Sequence, residues 1–567
     1  MSAPRLSEFI KAYDVRGLVP QQLNDAVAFA IGSAFARVVA LPDGATSVVV
    51  GHDMRESSPA LSRSFAAGAA AHGLDVTLIG LCSTDGLYYA SGALDVPGAM
   101  FTASHNPAQY NGIKLCRSGA RPVGQDTGLS EIRDLAQSLL DSGEGLDALA
   151  AEVPAGDIGE HDVLGDYAQF LRGLVDLSGI RPLTVVVDAG NGMGGHTVPA
   201  VLGTQAGLAE LPLNVIPLYF ELDGTFPNHE ANPLDPKNLV DLQAAVIAHR
   251  ADLGLAFDGD ADRCFVVDER GEPVSPSAIT ALVGTREVAK ERAAGRDARI
   301  VYNVISSAAV PEIIGEAGAT AVRTRVGHSF IKGEMARVQA VFGGEHSAHY
   351  YFRDFWFADT GMLAAMHVLA ALGEQSRPLS ELVAGYSRYV ASGEINSTVA
   401  DAGAATAEVR AWAEAWGLET GQDVEFDELD GMTVIHKADP MWWFNLRASN
   451  TEPLLRLNVE AADQSTMERV RDDVLSIVRA DKGTRVTKSA GVPATSEPSS
   501  PSDSPSPRIE PWLREILRCP QCRSTLTDGF GPAGPELQCT DKQCRRAYRI
   551  DDGIPVLLVD EARQLAN

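Results

Sequence analysis

Positive charge is scarce in this 567-residue chain: 47 Lys and Arg residues stand against 75 Asp and Glu residues, which leaves a net charge of −28. Duplex nucleic acid is bound by a basic face, and an anionic membrane surface attracts basic segments. The composition therefore argues against both partners. A phosphorylated small molecule remains compatible with it, because a few arginines can build a local positive pocket in an acidic protein.

Long hydrophobic runs are also missing. The start of the chain lacks the apolar region of a signal peptide, and no run approaches the roughly 18 apolar residues of a membrane span. Cysteine is infrequent, and three of the seven cysteines, Cys82, Cys116 and Cys264, are scattered. We expect these three to be reduced and semi-buried. The pattern predicts an intracellular, reducing compartment and a cytoplasmic protein without membrane contact.

The sequence does contain a regular alternation of strand-like and helix-like segments. The strands "TSVVVGHD", "DVTLIGL", "LTVVVDAG" and "ARIVYNV" are separated by helical stretches such as "ALSRSFAAGAAAHG". This alternation is typical of α/β domains with mainly parallel sheets. The length corresponds to about three to five domains. Three of the strands end in a polar turn, which indicates duplicated units only weakly.

The pattern changes near residue 390. The segments "ASGEINSTVA" and "WWFNLRASNTEPLLRLNVEA" predict a sheet, and "DQSTMERVRDDVLSIVRA" predicts a final amphipathic helix. Together they indicate a separate α+β domain. The stretch 489–508 is rich in Ser and Pro and predicts a disordered linker with a reach on the order of 60 Å. The remaining segment, 509–567, holds the other four cysteines.

The segment "FDGDADR" concentrates negative charge. Asp258, Asp260 and Asp262 alternate with Gly259 and Ala261. On an extended loop this alternation sends the three carboxylates to one side. Three hard oxygen ligands suit Mg²⁺, which leaves coordination positions open for a phosphate oxygen. The alternative is a solvated acidic turn, against which the preceding apolar strand and the following arginine both argue.

The segment "TASHNPAQYNGIK", residues 102–114, combines a hydroxyl, an imidazole and an amine. Its Asn106-Pro107 and Asn111-Gly112 pairs are turn signals, so we expect a loop. Beside a Mg²⁺ site, Ser104 can carry a phosphoryl group, while His105 or Lys114 moves protons or stabilises charge. The alternative is an ordinary turn after a strand.

Two further segments carry candidate binding residues. In "LRASNTEP", Arg447 can pair with a phosphate through two hydrogen bonds, and Ser449, Asn450 and Thr451 add donors in a turn. A surface turn with a helix cap is the alternative.

In "FGGEHSAHYYF", Glu345, Ser347 and His349 would face one side of an extended segment and could read paired sugar hydroxyls. A polar strand end explains that segment equally well. Upstream, "RVGHSFIK" offers His328 and Lys332.

These four segments occur in the order that the α-D-phosphohexomutases share. Over roughly residues 8–480 the sequence resembles that family, the phosphomannomutase/phosphoglucomutase group. The resemblance implies three similar mixed α/β domains and a fourth α+β domain around a central cleft, followed here by the linker and a small zinc-ribbon domain. We place these parts at residues 1–155, 156–272, 273–388, 389–485, 486–508 and 509–567.

The resemblance also implies roles for individual residues. Ser104 would be the phosphorylated residue and, with Asp258, Asp260 and Asp262, a ligand of Mg²⁺. Active-site positions of the family fall on Arg16 (in "YDVRG"), His105, Lys114, Arg263 and His328. Glu345 and Ser347 would contact the 3- and 4-hydroxyls of the sugar, and His349 belongs to the same loop. The phosphate-binding loop would comprise Arg447, Ser449, Asn450 and Thr451.

The implied activity interconverts a hexose 1-phosphate and a hexose 6-phosphate, with a hexose 1,6-bisphosphate as intermediate and activator. Mannose phosphate, which supplies GDP-mannose synthesis, is the expected substrate. Glucose and glucosamine phosphates are alternatives, because His346 and Ala348 stand where the family more often has Met or Gln and Gly. "YNGIK" favours the mannose/glucose subgroup. We expect a monomer or a dimer.

The C-terminal cysteines have the spacing C-x2-C, sixteen residues, C-x4-C: Cys519, Cys522, Cys539 and Cys544. Four thiolates at such spacing predict a structural Zn²⁺ site; a reduced, metal-free module is the alternative. "LRCPQCRSTL" and "YRIDDGIPVLLVDEAR" resemble a small bacterial zinc-ribbon family related to the subunit that activates methyltransferases in eukaryotes. The alternative to an enzyme is therefore an interaction protein, in which the ribbon recruits a protein partner and the mutase body is a scaffold.

Overall fold

A computed structural model describes residues 4–11, 13–142, 154–448, 454–480, 517–531, 534–551, 554–557 and 562–565. The linker expected at 486–508 lies outside these residues. The chain divides into two compact units, Met1–Asp481 and Lys482–Asn567, which are described separately. Within the described ranges, every helix is too short or too polar to cross a membrane.

The first sheet of the large unit contains seven strands. They are β1 (Val15–Leu18), β2 (Ser47–His52), β3 (Asp75–Leu81), β4 (Gly98–Phe101), β5 (Tyr110–Arg117), β6 (Arg121–Pro122) and β7 (Ile158–Glu160). The accompanying helices are α1 (Asp25–Phe35), α2 (Ser58–Ala70), α3 (Thr84–Leu94) and α4 (Leu129–Ser142). The strands β7, β3, β2 and β4 run parallel, whereas β5 is antiparallel to β4, β1 and β6.

Both faces of this sheet are buried. On β2, Val48 and Val50 pack into the core that includes α1, α2 and α4, while Val49 packs on the opposite side with residues of α3. A strand that is covered on both faces needs apolar residues at every position, because successive side chains alternate between the faces. This explains the uninterrupted apolar run of "SVVVG".

The second and third sheets have five strands each. The second comprises β8 (Leu183–Asp188), β9 (Leu213–Leu218), β10 (Leu253–Phe257), β11 (Cys264–Asp268) and β12 (Pro273–Val274), with α5 (Leu164–Leu174), α6 (Gly194–Val201) and α7 (Val240–His249). The third comprises β13 (Arg299–Asn303), β14 (Thr320–Thr324), β15 (Phe342–Gly344), β16 (Tyr350–Phe352) and β17 (Ala358–Asp359), with α8 (Pro276–Ala293), α9 (Ala309–Glu316), α10 (His328–Val338), α11 (Gly361–Gly373) and α12 (Leu379–Ala384).

One topology recurs in the three sheets. β1, at the edge of the first sheet, lies outside this pattern. In each sheet a set of four strands recurs: the first of the set in chain order lies between the second and third and is parallel to both, and the third pairs with an antiparallel fourth. The sets are β3-β2-β4-β5, β9-β8-β10-β11 and β14-β13-β15-β16. The expectation of three similar mixed α/β domains is therefore confirmed.

The fourth sheet is entirely antiparallel, in the order β18-β22-β21-β20-β19. Its strands are β18 (Val390–Thr398), β19 (Glu425–Asp427), β20 (Met432–His436), β21 (Trp442–Ala448) and β22 (Leu454–Ala461), and α13 (Ala402–Thr420) and α14 (Gln464–Val478) pack on it. The predicted α+β domain is confirmed.

The small unit contains antiparallel strands. They are β23 (Leu526–Gly531), β24 (Gly534–Cys539), β25 (Arg546–Asp551), β26 (Ile554–Pro555) and β27 (Arg563–Gln564).

One expected turn is wrong. Asn111 and Gly112 lie inside β5, which pairs with both β1 and β4, so Lys114 is carried by a strand rather than a loop. Pairing on two sides overrides the local turn preference of the Asn-Gly pair. The glycine is needed for another reason: a Cβ at Gly112 would lie 2.3 Å from the Val15 carbonyl oxygen.

Candidate active site

The site is assembled from equivalent connections of the three similar sheets. In each recurring set of four strands, the loop that joins the third strand to the antiparallel fourth carries the candidate residues: Ser104 after β4, the Asp258 segment after β10 and Glu345 after β15. Each loop also contains one non-glycine residue in the left-handed region, namely Ser104 (φ 50°), Ala261 (φ 59°) and Ala348 (φ 64°). Tight left-handed turns of this kind replace the extended segments that the alternating patterns predicted.

Ser104 is 3% exposed and bridges two sheets. Its Oγ donates to Asp258 Oδ2 (2.9 Å) and accepts from Arg263 Nη2 (3.1 Å). Arg263 in turn holds Asp258 through its Nε (2.8 Å) and Nη2 (2.6 Å). The hydroxyl of the first loop therefore contacts a carboxylate and a guanidinium of the second.

Gly259 permits this close approach. A Cβ added to it would lie 2.4 Å from the Ser104 carbonyl oxygen, closer than any side chain tolerates. The glycine between the first two aspartates thus serves the contact between the loops, in addition to the local turn.

The three aspartates meet the requirements of a divalent cation. One oxygen each of Asp258, Asp260 and Asp262 lie within 4.8 Å of one another, and all three residues are buried. Asp260 Oδ1 and Asp262 Oδ1 are buried and have no hydrogen-bond partner among the described residues. Buried carboxylate oxygens that accept no hydrogen bond are costly, and carboxylate oxygens are the ligands that Mg²⁺ prefers, so the residues fit this ion.

Lys114 neutralises part of this charge. Its Nζ lies 2.7 Å from Asp260 Oδ2 and 2.5 Å from Asp262 Oδ2. Burial acts against the charge of the amine, but the two aspartates more than offset it and raise the pKa of Lys114. Lys114 therefore stays cationic, which favours charge stabilisation over proton transfer.

Beside these groups lies a cleft of about 320 Å³. Its lining residues are Tyr13, Asp14, Arg16, Tyr88, Ser104, His105, Lys114, Asp262, Arg263, His328, His349 and Asp359. Seven predicted catalytic or substrate-binding residues thus line the cleft, and so does one aspartate of the metal triad. The cationic groups of the lining suit a phosphorylated ligand.

Burial keeps two histidines of the cleft neutral. It lowers the pKa of His105 well below its usual value, an effect that Arg263 and Arg16 reinforce. Arg263 Nη2 lies 2.6 Å from His105 Nδ1 and can only donate, so this nitrogen is an acceptor. Burial and Lys332 lower the pKa of His328 to about 3.

The third loop holds its carboxylate firmly. Glu345 accepts hydrogen bonds from Asn303 Nδ2 (3.2 Å), Gly327 N (3.0 Å) and the Tyr351 hydroxyl (2.6 Å). Ser347 Oγ lies 3.0 Å from His349 Nδ1. Glu345 and Ser347 do not line the cleft. They lie beside His349, which does, and Glu345 is held by groups of its own domain.

Arg447 lies at the end of β21 and does not line the cleft described above. Its guanidinium faces Asp430 (3.5 Å) and Glu394 (3.7 Å). Asp430 also accepts a hydrogen bond from Val326 N (2.9 Å), close to His328, which connects the fourth sheet to the third. Ser449, Asn450 and Thr451 lie outside the described residues.

Sequence reasoning missed several groups around these residues. Thr84 donates to Asp260 Oδ2 (2.6 Å). Asp359 pairs with Lys332 (2.5 Å), which the sequence had already offered as a candidate, and Lys332 Nζ lies 3.9 Å from the centre of the Tyr88 ring. Arg55 binds the backbone of the Ser104 loop. The available signal for Arg55 was its place just after β2, in "VVVGHDMR"; the corresponding strands β8 and β13 of the other two sheets are also followed by a polar turn.

The four cysteines of the small unit form one cluster, with their Sγ atoms within 4.8 Å of one another. The Cys519–Cys544 and Cys522–Cys539 Sγ distances are 3.6 and 3.4 Å. These are far too long for disulfides and close to the edge of about 3.8 Å expected for a tetrahedron with Zn–S bonds of about 2.3 Å. The cluster therefore fits a Zn²⁺ ion.

Models of the "Phosphoglucomutase/phosphomannomutase" alpha/beta/alpha domains I, II and III match residues 8–141, 166–271 and 275–389, and the model of the C-terminal domain of that group matches residues 394–477. A "Trm112p-like protein" model matches residues 511–553.

Curated relatives agree with these matches. "Phosphohexose mutases" of Xanthomonas campestris is 40% identical over 474 residues, which are 83% of this chain and 98% of the relative. A "Phosphomannomutase" of Escherichia coli is 38% identical over 477 residues, with the same shares. Among solved structures, a phosphoglucomutase/phosphomannomutase family protein from Burkholderia thailandensis has a TM-score of 0.71 and 29% identity, and covers 84% of this chain and 98% of its own.

The fold and the site define an enzyme that handles phosphorylated sugars in a cleft lined by its first three domains. The chain belongs to the phosphoglucomutase/phosphomannomutase family of α-D-phosphohexomutases, with a Trm112p-like domain at its C-terminus. It is a phosphohexomutase, an isomerase. Both predicted family resemblances are thereby confirmed.

Proposed function

We propose that this enzyme interconverts mannose 1-phosphate and mannose 6-phosphate through a phosphorylated Ser104. The contact of Ser104 Oγ with Asp258 (2.9 Å) and Arg263 (3.1 Å), at the edge of a cationic cleft, carries the proposal. The phosphomannomutase relatives at about 38% identity support the choice of mannose.

The reaction proceeds in two transfers. The free hydroxyl oxygen of the hexose phosphate attacks the phosphorus on Ser104, the bond from phosphorus to Oγ breaks, and the proton lost by the sugar hydroxyl is balanced by one that Oγ takes up, which restores the serine hydroxyl. The resulting hexose 1,6-bisphosphate turns end for end in the cleft. Ser104 Oγ then attacks the phosphorus of the other phosphate, the bond from that phosphorus to the sugar oxygen breaks, and the proton that Oγ loses is balanced by the one that the sugar oxygen gains.

Several side chains would stabilise the charge that moves during each transfer. Arg263 binds Ser104 Oγ directly, and Lys114 remains protonated beside the aspartates. Asp258, Asp260 and Asp262 would hold Mg²⁺, which neutralises the charge of the phosphoryl group when bound. Arg16 donates to the Ala103 carbonyl oxygen (3.0 Å) next to Ser104 and faces the cleft.

The other residues would bind the sugar and the phosphate that is not reacting. Glu345 and Ser347 would read the 3- and 4-hydroxyls, a pair that keeps its place in both orientations of the intermediate. His328 and His349 line the cleft beside them. Arg447, with Ser449, Asn450 and Thr451, would hold the distal phosphate after a movement of the fourth domain.

A comparison of substrates tests this function. kcat/KM is measured for mannose 1-phosphate, glucose 1-phosphate and glucosamine 1-phosphate, each with its 1,6-bisphosphate as activator and with Mg²⁺. We expect mannose 1-phosphate to be converted best and glucosamine 1-phosphate worst. A higher kcat/KM for glucose 1-phosphate would make glucose phosphate, and not mannose phosphate, the preferred substrate. A preference for glucosamine 1-phosphate would exclude both mannose and glucose phosphates as the preferred substrate.

The zinc-ribbon unit is expected to be dispensable for the reaction, because four thiolates close the coordination sphere of Zn²⁺. Deletion of residues 482–567 should change kcat/KM by less than about two-fold, whereas chelation of zinc should unfold this unit within the full chain, measured by hydrogen exchange of β23 to β25. A truncated enzyme that melts normally but loses most of its turnover would give the ribbon a part in the reaction cycle. Unchanged exchange after complete removal of zinc would exclude a structural metal.

A further inference from the structure

All five N–H groups of the Arg55 guanidinium are used inside the protein. One hydrogen bond goes to a carboxylate, three go to carbonyl oxygens of the loop between β4 and β5, and one goes to the carbonyl oxygen of the first residue of β5. The acceptors are Asp53 Oδ2 (3.2 Å) and the carbonyl oxygens of Ser104 (2.9 Å), Asn106 (2.7 Å), Pro107 (3.0 Å) and Tyr110 (3.0 Å). A guanidinium has five donors in a fixed plane, so the whole donor set is committed.

The position of Arg55 is itself fixed. The residue is 2% exposed, and Asp53, which holds it, accepts further hydrogen bonds from Arg55 N (3.0 Å) and Ser58 Oγ (2.6 Å). The guanidinium carbon lies 5.2 Å from the centre of the Phe226 ring, which belongs to the second domain. Arg55 therefore ties the loop to the end of β2 and to the neighbouring domain.

The contact with Ser104 explains the geometry of the nucleophile. Ser104 has a φ of 50°, an unfavourable conformation for a residue with a side chain. Its carbonyl oxygen is held by Arg55 Nη2 on one side and faces Gly259 on the other. With the carbonyl fixed in this direction, the side chain points to Asp258 and Arg263.

We propose that Arg55 is the positioning residue of the phosphoryl-transfer loop: it touches neither phosphate nor sugar, and it holds Ser104 in the left-handed conformation that aims Oγ at the transfer site. This proposal rests on the role of Ser104 proposed above. It requires the planar fork of arginine, since an ammonium has three donors and cannot span four carbonyl groups.

The substitution Arg55→Lys tests the proposal, because it keeps the positive charge beside Asp53 and removes the fork. Arg172→Lys is the matched control: Arg172 also caps three carbonyl groups, those of Val201, Gly203 and Ala209, and it does not line the cleft. We expect kcat to fall about 10²-fold in Arg55→Lys, the loss typical of a misplacement of about 1 Å, with KM within about two-fold. Arg172→Lys should keep both constants.

Two further measurements separate positioning from folding. Intact mass and peptide mapping give the fraction of Ser104 that carries phosphate after incubation with hexose 1,6-bisphosphate, and we expect slower phosphorylation in Arg55→Lys at an unchanged melting profile. In Arg55→Ala, guanidinium at a non-denaturing concentration should restore part of kcat, and ammonium should not.

The outcomes distinguish this proposal from the one on which it rests. If wild-type enzyme never carries phosphate on Ser104, the proposed function fails. If the wild type is phosphorylated and Arg55→Lys has wild-type kcat and phosphorylation rate, the role of Arg55 is overturned. Loss of turnover in Arg55→Lys that merely follows a lowered melting temperature, without rescue of Arg55→Ala by guanidinium, also overturns it.

Discussion

Replacement of Ser104 by alanine should reduce mutase turnover by at least about 10⁴-fold, because it removes the hydroxyl that is proposed to carry the phosphoryl group. The hydroxyl makes its hydrogen bonds to Asp258 and Arg263, and both partners remain paired with each other when it is removed. The variant should therefore keep its fold. The measurement is steady-state turnover together with intact mass, which should show one phosphoryl group on the wild type and none on Ser104→Ala.

Ser91→Ala provides the control for the loss of a buried hydroxyl. Ser91 lies on α3, is buried and donates to the Val96 carbonyl oxygen (2.7 Å), away from the cleft. This variant should keep its turnover and its phosphate. Turnover of Ser104→Ala at the wild-type rate would remove Ser104 from the mechanism.

The second large effect is expected at Asp260. Its Oδ2 accepts from Lys114 Nζ (2.7 Å) and Thr84 Oγ1 (2.6 Å), which leaves Oδ1 for a cation. Although burial acts in the opposite direction, Lys114 lowers the pKa of Asp260, so the residue is an anion at neutral pH. Asp260→Asn removes one of three negative charges. We expect the Mg²⁺ concentration for half-maximal rate to rise and kcat to fall by at least about 10²-fold.

Asp268→Asn is the matched variant for this experiment. Asp268 is a buried carboxylate at the end of β11, paired with Arg270 (2.8 Å) and remote from the triad in the same sheet. It should leave the dependence on Mg²⁺ unchanged. Chelator-treated wild-type enzyme that works equally well with and without added Mg²⁺ would show that the triad has no metal role.

The local sequence was sufficient to predict those features that depend on interactions between residues close together in the chain. Apolar strands followed by polar turns predicted the α/β units, since a strand buried on both faces must be apolar throughout. The aspartate alternation and the cysteine spacing predicted clusters that the structure contains. The three aspartates need only a turn to meet, and the two cysteine pairs, sixteen residues apart, are brought together by the hairpin of β23 and β24. Even here the backbone differed from expectation: Ala261 and Ala348 adopt left-handed turns in place of extended segments.

Contacts between segments that are distant in the chain could not be predicted from local sequence patterns. Ser104 meets Asp258 across 154 positions, Lys114 meets Asp260 across 146, and Arg55 binds carbonyl groups about 50 positions away. The Asn111-Gly112 pair shows the same limit, because its turn preference is weaker than strand pairing on two sides.

By itself, the sequence determined which chemical groups this protein has and in which order, and through its resemblance to the phosphohexomutases it determined the family. Only the tertiary structure decided which groups share a hydrogen bond: that Lys114 is held cationic by two aspartates and that His105 is neutral. It alone placed Arg55 on the loop of Ser104. The physical reason is that the charge state and direction of a buried group depend on its neighbours in space, and those neighbours are supplied by strands and loops from remote parts of the chain.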